Sequence, residues 1–153
     1  MARFRRINLD GKSLFKTETR RMSVNGYPGT VVVLNDDNEF EFRLSNSTLG
    51  PRLYLLDEAS HEGKGCMDQI PVNHTAIGNY IEEGREFAAR MADGTYRKDQ
   101  SVYLAASGVI TLVPSTSGTT FNAIGYVQEQ DEVTITDVDL IRIRVQYHTV
   151  VNP

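Results

Sequence analysis

Several short stretches of the chain alternate between hydrophobic and polar residues, which is the pattern of half-buried β-strands. In residues 39–44, Phe40, Phe42 and Leu44 would face the core, between glutamates and an arginine that face solvent. Residues 141–147 alternate in the same way, with two arginines and a glutamine outward. Residues 30–34 are apolar on both faces, which predicts a strand covered on both sides. Shorter predicted strands are residues 52–57, 76–82, 101–105, 109–113 and 123–129.

Turn-forming residues separate these stretches at short intervals. Asn25-Gly26 and Pro28-Gly29 precede one predicted strand, and Asp36-Asp37-Asn38 joins two others. Ala106-Ser107-Gly108 predicts a tight hairpin. Many short strands separated by such turns predict an all-β fold, a compact barrel or a sandwich of antiparallel strands.

Two parts of the chain resemble each other. Tyr54 is followed after 24 residues by the glycine of Ala76-Ile77-Gly78, and Tyr103 after 22 residues by that of Ala123-Ile124-Gly125. This similarity suggests an internal duplication of a strand–turn–strand unit, with chance as the open alternative. The duplication aligns residues 82–91 with residues 30–34, so we expect a strand there, although the helix-favouring composition also permits a short helix.

The composition indicates one domain whose core needs no covalent cross-link. The chain has 153 residues, of which 40% are hydrophobic, enough to bury a sizeable core. Cys66 is alone, so no disulfide can form within the chain. No apolar run approaches the roughly 18 residues that would suggest a membrane span.

Charge is distributed unevenly along the chain. Residues 1–21 hold seven basic and two acidic side chains, whereas the remaining 132 residues carry a net charge of −9. We therefore expect a basic N-terminal arm at residues 1–21 and a single all-β domain at residues 22–153. Apolar residues between the charges favour docking over the alternative of a frayed, solvated terminus. The expected partner-binding residues are Arg3, Phe4, Arg5, Arg6, Ile7, Leu9, Lys12, Leu14, Phe15, Lys16, Arg20 and Arg21.

The sequence contains no recognisable catalytic, metal or cofactor motif. His61, Cys66 and His74 do not have the spacing of a compact zinc site. Glu82, Glu83 and Glu129 recur after the repeated glycines, and paired carboxylates there could serve acid–base catalysis, but a structural role is favoured. We therefore expect a protein that is not an enzyme, and binds neither metal nor cofactor. The acidic body and lack of tryptophan argue against specific nucleic-acid binding.

The order of several motifs resembles the capsid decoration, or cement, proteins of tailed bacteriophages. The resemblance covers residues 25–146, and the order of its motifs carries it. Its N-terminal part is residues 25–34 and 52–58. The C-terminal motifs are Val102-Tyr103-Leu104 in residues 94–104, Gly108-Val109-Ile110, Ala123-Ile124-Gly125-Tyr126-Val127 and Leu140-Ile141-Arg142-Ile143-Arg144-Val145.

The resemblance implies a small β-fold, often of the β-tulip type, with an N-terminal arm that crosses onto neighbouring subunits. It implies a structural virion protein, made in the bacterial host cytoplasm, that binds the major capsid protein as a homotrimer on the outer capsid surface and stabilises the shell. No membrane partner is implied. The alternatives are a head-fibre base or a tail-tube protein, or a trimeric nucleotide hydrolase, although the chain lacks the glycine-rich C-terminal arm of such hydrolases.

Overall fold

A computed structural model describes residues 3–11, 16–42, 52–104 and 108–153, and these form short β-strands joined by turns. A single turn of 3₁₀ helix, Ser60–Glu62, follows the fourth strand. Among the described residues, no helix is long and apolar enough to cross a membrane. The strands are β1 (Thr17–Arg21), β2 (Val31–Leu34), β3 (Phe40–Phe42), β4 (Tyr54–Leu56), β5 (Thr75–Tyr80), β6 (Glu86–Met91), β7 (Gly94–Tyr96), β8 (Ser101–Leu104), β9 (Ile110–Leu112), β10 (Thr120–Val127), β11 (Val133–Ile135) and β12 (Asp139–Val151).

The C-terminal half of the described chain forms a closed barrel in the order β10-β12-β6-β9-β8. Neighbouring strands are antiparallel except β6 and β9, which pair in parallel where Met91 faces Ile110. The alternation of β12 accounts for its place in the wall, because Ile141, Ile143 and Val145 are buried while Arg144 is exposed. Beside the barrel, β11 and β7 form a small antiparallel pair.

The N-terminal half forms an antiparallel sheet in the order β1-β5-β4-β2-β3. The sheet curls, because Met22, directly after β1, forms a parallel bridge with Phe40 in β3. β1 therefore belongs to this sheet, although its residues fall within the 1–21 arm expected from charge. The boundary expected between arm and domain, after residue 21, therefore falls at the end of β1, directly before Met22, which bridges to β3.

The two halves share a core. Val31 and Val33 of β2 belong to the large apolar cluster that fills the barrel, whereas Val32 lies in a second cluster inside the N-terminal sheet. Leu55 and Leu56 of β4 divide between the clusters in the same way. The prediction of a strand covered on both sides is therefore confirmed for β2.

The all-β prediction is confirmed, and residues 82–91 contain strand β6, not a helix. The two units of the suggested duplication are both antiparallel pairs, β4 with β5 and β8 with β10. Their neighbours differ, since β2 lies beside β4 whereas β6 does not lie beside β8. Phe40 is buried as expected, while Leu44 and the hairpin residues Ala106 and Ser107 lie outside the described residues.

Candidate functional site

Residues 3–11, called here the N-terminal segment, lie along the outer edge of β6. The Leu9 N–H donates to the Glu86 carbonyl at 3.1 Å, and the Ala88 N–H donates to the Ile7 carbonyl at 2.8 Å. Asn8 and Phe87 form an antiparallel bridge between these bonds. The parallel neighbour β9 pairs with β6 only at Met91, so this part of β6 has backbone groups for the segment to bind.

The apolar side chains of the N-terminal segment face the protein's own core. Ile7 is fully buried, and Phe4 and Leu9 pack against the barrel cluster. Burying an isoleucine side chain contributes about 2–3 kcal/mol. In this structure Ile7 is therefore covered by the chain itself, and only Phe4 and Leu9 of the three keep partial exposure for a partner.

Charged groups fix both ends of the N-terminal segment. Arg3 forms an ion pair with Glu129 at 2.9 Å and donates to the Leu140 carbonyl at 2.8 Å. At the other end, Asp10 pairs with the buried guanidinium of Arg85 at 3.3 Å. Removing one partner of such a buried pair leaves an uncompensated charge, so this end is held firmly.

A cleft of about 410 Å³ opens beside the N-terminal segment. Two carboxylates line it, Asp57 and Glu58, which directly follow β4 and are partly buried. The Ile7 N–H donates to Glu58 Oε2 at 3.0 Å, so the cleft and the segment are physically linked. The lining residues are Arg5, Arg6, Asn8, Gly11, Asp57, Glu58, Ser60, Lys64 and Gly65.

The two carboxylates do not have the same charge. Burial, together with a hydrogen bond to Glu58 and its charge, raises the pKa of Asp57 to about 8, so Asp57 holds a proton at neutral pH. Burial alone would raise the pKa of Glu58, but hydrogen bonds from Asp57 and the Ile7 N–H lower it. The pair therefore carries a single negative charge.

Two buried polar groups lie close to this pair. The Asn79 amide is among the groups that hydrogen-bond Asp57, and its Oδ1 is buried with no hydrogen-bond partner among the described residues. Burial, and then the charges of Glu58 and Asp57, raise the pKa of Cys66 to about 12, so the thiol stays protonated and unreactive.

The arginines of the cleft point outward. Arg5 and Arg6 are exposed, and the positive charge of Arg6 contributes to the lowered pKa of Glu58. Lys64 is engaged, since it contacts Glu62 at 3.5 Å and donates to the Gln69 carbonyl at 3.1 Å. Three basic side chains and a single negative charge line the cleft, so its lining is net positive and can bind an anionic group.

The remaining basic residues expected at the partner surface lie on or near β1. Lys16 pairs with Glu82 at 2.6 Å, Arg20 pairs with Glu18, and Arg21 lies 4.0 Å from Glu39. These three side chains are partly neutralised by ion pairs within the chain. Lys12, Leu14 and Phe15 lie outside the described residues.

The residues considered for metal binding or catalysis have other partners. His74 contacts the Glu62 carboxylate at 3.0 Å, while Cys66 is buried beneath the surface. In the described ranges no group of three or more His, Cys, Asp and Glu side chains could hold a metal ion. Glu82 binds Lys16 and Glu129 binds Arg3, so both carboxylates have structural partners.

Sequence reasoning missed Asp57, Glu58, Asp10 and Arg85 as parts of this site. A signal existed for the first two, because adjacent carboxylates directly follow the apolar Tyr-Leu-Leu of β4. Arg85 carried no such signal. It is distinguished only by its burial and by its contact with Asp10, which lies 75 residues earlier in the sequence.

No family model matches the sequence. A comparison with curated proteins likewise gives no match.

Proposed function

We propose that this chain is a structural virion protein that binds the outer surface of a tailed-phage capsid as a homotrimer and stabilises the shell without catalysis. The observation that carries the proposal is the outward pair Arg5 and Arg6 on a segment whose other side is anchored to the body. The expected partner is a phage capsid because the order of the strand motifs resembles that of the capsid decoration proteins of tailed bacteriophages.

Anchoring makes the arginines effective in binding. Because Ile7 is buried and Arg3 and Asp10 are paired, the backbone between them is ordered before a partner arrives. Preorganisation lowers the entropic cost of association. Guanidinium groups bind carboxylates in two-pronged geometry, so an acidic capsid surface is the partner that this site fits.

Cementing requires no chemistry beyond binding. A protein that binds the assembled shell and not its dispersed subunits stabilises the shell by mass action. Three copies in one assembly multiply a weak contact, because the second and third sites bind at high effective concentration.

The proposal is tested by measuring how the purified chain binds emptied, expanded shells of its phage. The double substitution Arg5→Ala/Arg6→Ala should weaken binding about tenfold or more, equivalent to about 1.4 kcal/mol or more. Lys98→Ala is the control, because Lys98 is an exposed cation that does not line the cleft with Arg5 and Arg6, and it should leave binding unchanged.

Failure of the parent chain to bind shells, or equal binding by the double variant, would contradict the proposal. Stacked hexameric rings of the purified chain would instead favour a tail-tube protein.

A further inference from the structure

Strand β12 continues past the barrel wall that its neighbours form. It pairs with β6 over Asp139 to Arg144. The Val145 backbone then forms hydrogen bonds with Gly84 and Arg85, the two residues before β6. From His148 to Val151, β12 pairs with β10 on one side, and no described strand lies on the other. β12 therefore has an open edge along its last residues.

The direction of the backbone groups along this edge follows from two flanking hydrogen bonds. The Val145 N–H donates to the Arg85 carbonyl, away from β10, whereas the Asn152 N–H donates to the Thr119 carbonyl, towards β10. In an extended strand, successive residues point their N–H and C=O groups to opposite sides. The groups of Tyr147, Thr149 and Val151 therefore point to the open edge, about 7 Å apart.

No described strand pairs with β12 on this side of residues 147–151, so these backbone groups have no strand partner there. The edge lacks two of the features that normally prevent pairing between chains, charged side chains and prolines, although the register with β10 shifts between residues 145 and 148. Residues 145–152 contain no Asp, Glu, Lys, Arg or Pro, and Val151 is 67% exposed. By contrast, the edge strand β1 carries Glu18, Arg20 and Arg21.

We propose that the open edge of β12, residues 147–151, binds a strand from a second copy of this chain. Main-chain hydrogen bonds to Tyr147, Thr149 and Val151 hold the added strand, and the β-branched side chains of Thr149 to Val151 pack along it. The inference rests on the proposed function, since it supplies a contact between copies in the homotrimer.

Charge favours a second copy as the occupant. Each chain has a net charge of −4, so a contact between copies costs least electrostatically where charged side chains are absent. Residues 145–153 contain no Asp, Glu, Lys or Arg, and the nearest charges that act on them, those of Glu82 and Glu83, fall at Tyr147. In a trimer the received strand comes from a different part of the neighbour, because a contact between two identical edges closes at two copies.

The sharpest test removes one outward N–H. Thr149→Pro deletes a group that points to the open edge and leaves the bonds to β10 intact, so the monomer should stay folded while the mass measured by light scattering falls to that of one chain. Val150→Pro is the matched control, because the Val150 N–H faces β10, and it should destabilise the fold itself. Thr149→Lys tests the same edge by charge and should also give monomers.

Hydrogen exchange in the unsubstituted protein provides a second readout that does not depend on any variant. The amides of Tyr147, Thr149 and Val151 should exchange slowly in the assembly and at least tenfold faster after dilution to monomers. A parent chain that is monomeric, fast exchange of these amides in an assembly, or an unchanged mass for Thr149→Pro and Thr149→Lys would overturn the inference. Shell binding by the Arg5 and Arg6 surface is measured separately, so its failure is distinguishable from failure of the β12 contact.

Discussion

At the scale of single residues, the main determinant of the candidate site is the proton held by Asp57. The carboxyls of Asp57 and Glu58 are adjacent in sequence and partly buried, so ionising both would place two negative charges together in a poorly solvated position. One proton on Asp57 avoids this repulsion. It also leaves Glu58 as the acceptor for the Ile7 N–H, which connects the protonation of the pair to the N-terminal segment.

We predict that Asp57→Asn reduces the loss of stability as pH rises. Asp57 has a pKa of 3.8 when unperturbed and about 8 in the folded chain, so its contribution to stability is full below about pH 4 and is lost progressively as pH approaches 8. Asparagine is neutral throughout, so the variant should be more stable than the parent near pH 8, by a few kcal/mol at most. Urea unfolding across this pH range measures the effect.

The control for this prediction is Asp37→Asn, which changes an exposed carboxylate in the turn between β2 and β3 and should leave the pH profile unchanged. Glu58 acts in the opposite direction, because its lowered pKa stabilises the fold above its ordinary value of 4.5 and that stabilisation is lost in acid. A parent profile that does not fall between about pH 4 and 8 would show that Asp57 is ionised in the folded chain.

At the scale of secondary-structure elements, the contact between β10 and β12 depends on a glycine. A Cβ placed on Gly125 would lie 2.2 Å from the Arg144 carbonyl oxygen of the neighbouring strand. Backbone atoms cannot move aside as a flexible side chain can, and the register between the two strands already shifts at this point. The barrel wall therefore closes here only without a side chain.

We predict that Gly125→Ala lowers the free energy of unfolding by about 2–3 kcal/mol, because the added methyl group forces the two strands apart. Gly65→Ala is the matched control, since its nearest neighbour would be 3.7 Å away and it should change stability little. Denaturant unfolding of both variants gives the comparison. Equal stability of Gly125→Ala and the parent would mean that the strand pair relaxes without cost.

Periodicity predicted the elements whose burial is regular. β2 and β12 were found because one is apolar on both faces and the other alternates. The short strands β1, β7 and β11 were not predicted, since three to five residues with mixed exposure carry no clear period. The far end of β12 was also missed, because Thr149–Val151 does not alternate and is held by pairing with β10.

The candidate site was only partly predictable for a related reason. Charge and apolar content identified the N-terminal segment, including Arg5 and Arg6, from local sequence alone. Its anchors are long-range contacts, such as Asp10 with Arg85 and Ile7 with Glu58, and no local pattern encodes which distant residues meet. Nor does sequence indicate which of two adjacent carboxyls holds the proton, because burial decides it.

At the scale of the whole molecule, the N-terminal segment connects parts of the fold that the strand order keeps separate. Residues 3–11 lie on the barrel, whereas β1 follows within the N-terminal sheet. The proposed contacts between molecules then fall on two chemically different surfaces. One is the charged surface of Arg5 and Arg6, proposed to bind the shell, and the other is the uncharged edge at residues 147–151, proposed to bind another copy.

These two surfaces should respond differently to salt, which is a prediction for the assembled protein. Raising the salt concentration from about 0.05 M to about 0.5 M shortens the range of electrostatic attraction from over 10 Å to about 4 Å. Shell binding should therefore weaken about tenfold or more, because guanidinium groups supply it. The mass of the chain's own assembly should stay constant, since main-chain hydrogen bonds and apolar contacts hold it.

Light scattering and shell co-sedimentation at matched salt concentrations measure both quantities. Dissociation of the assembly by salt, with shell binding unaffected, would reverse the assignment of the two surfaces.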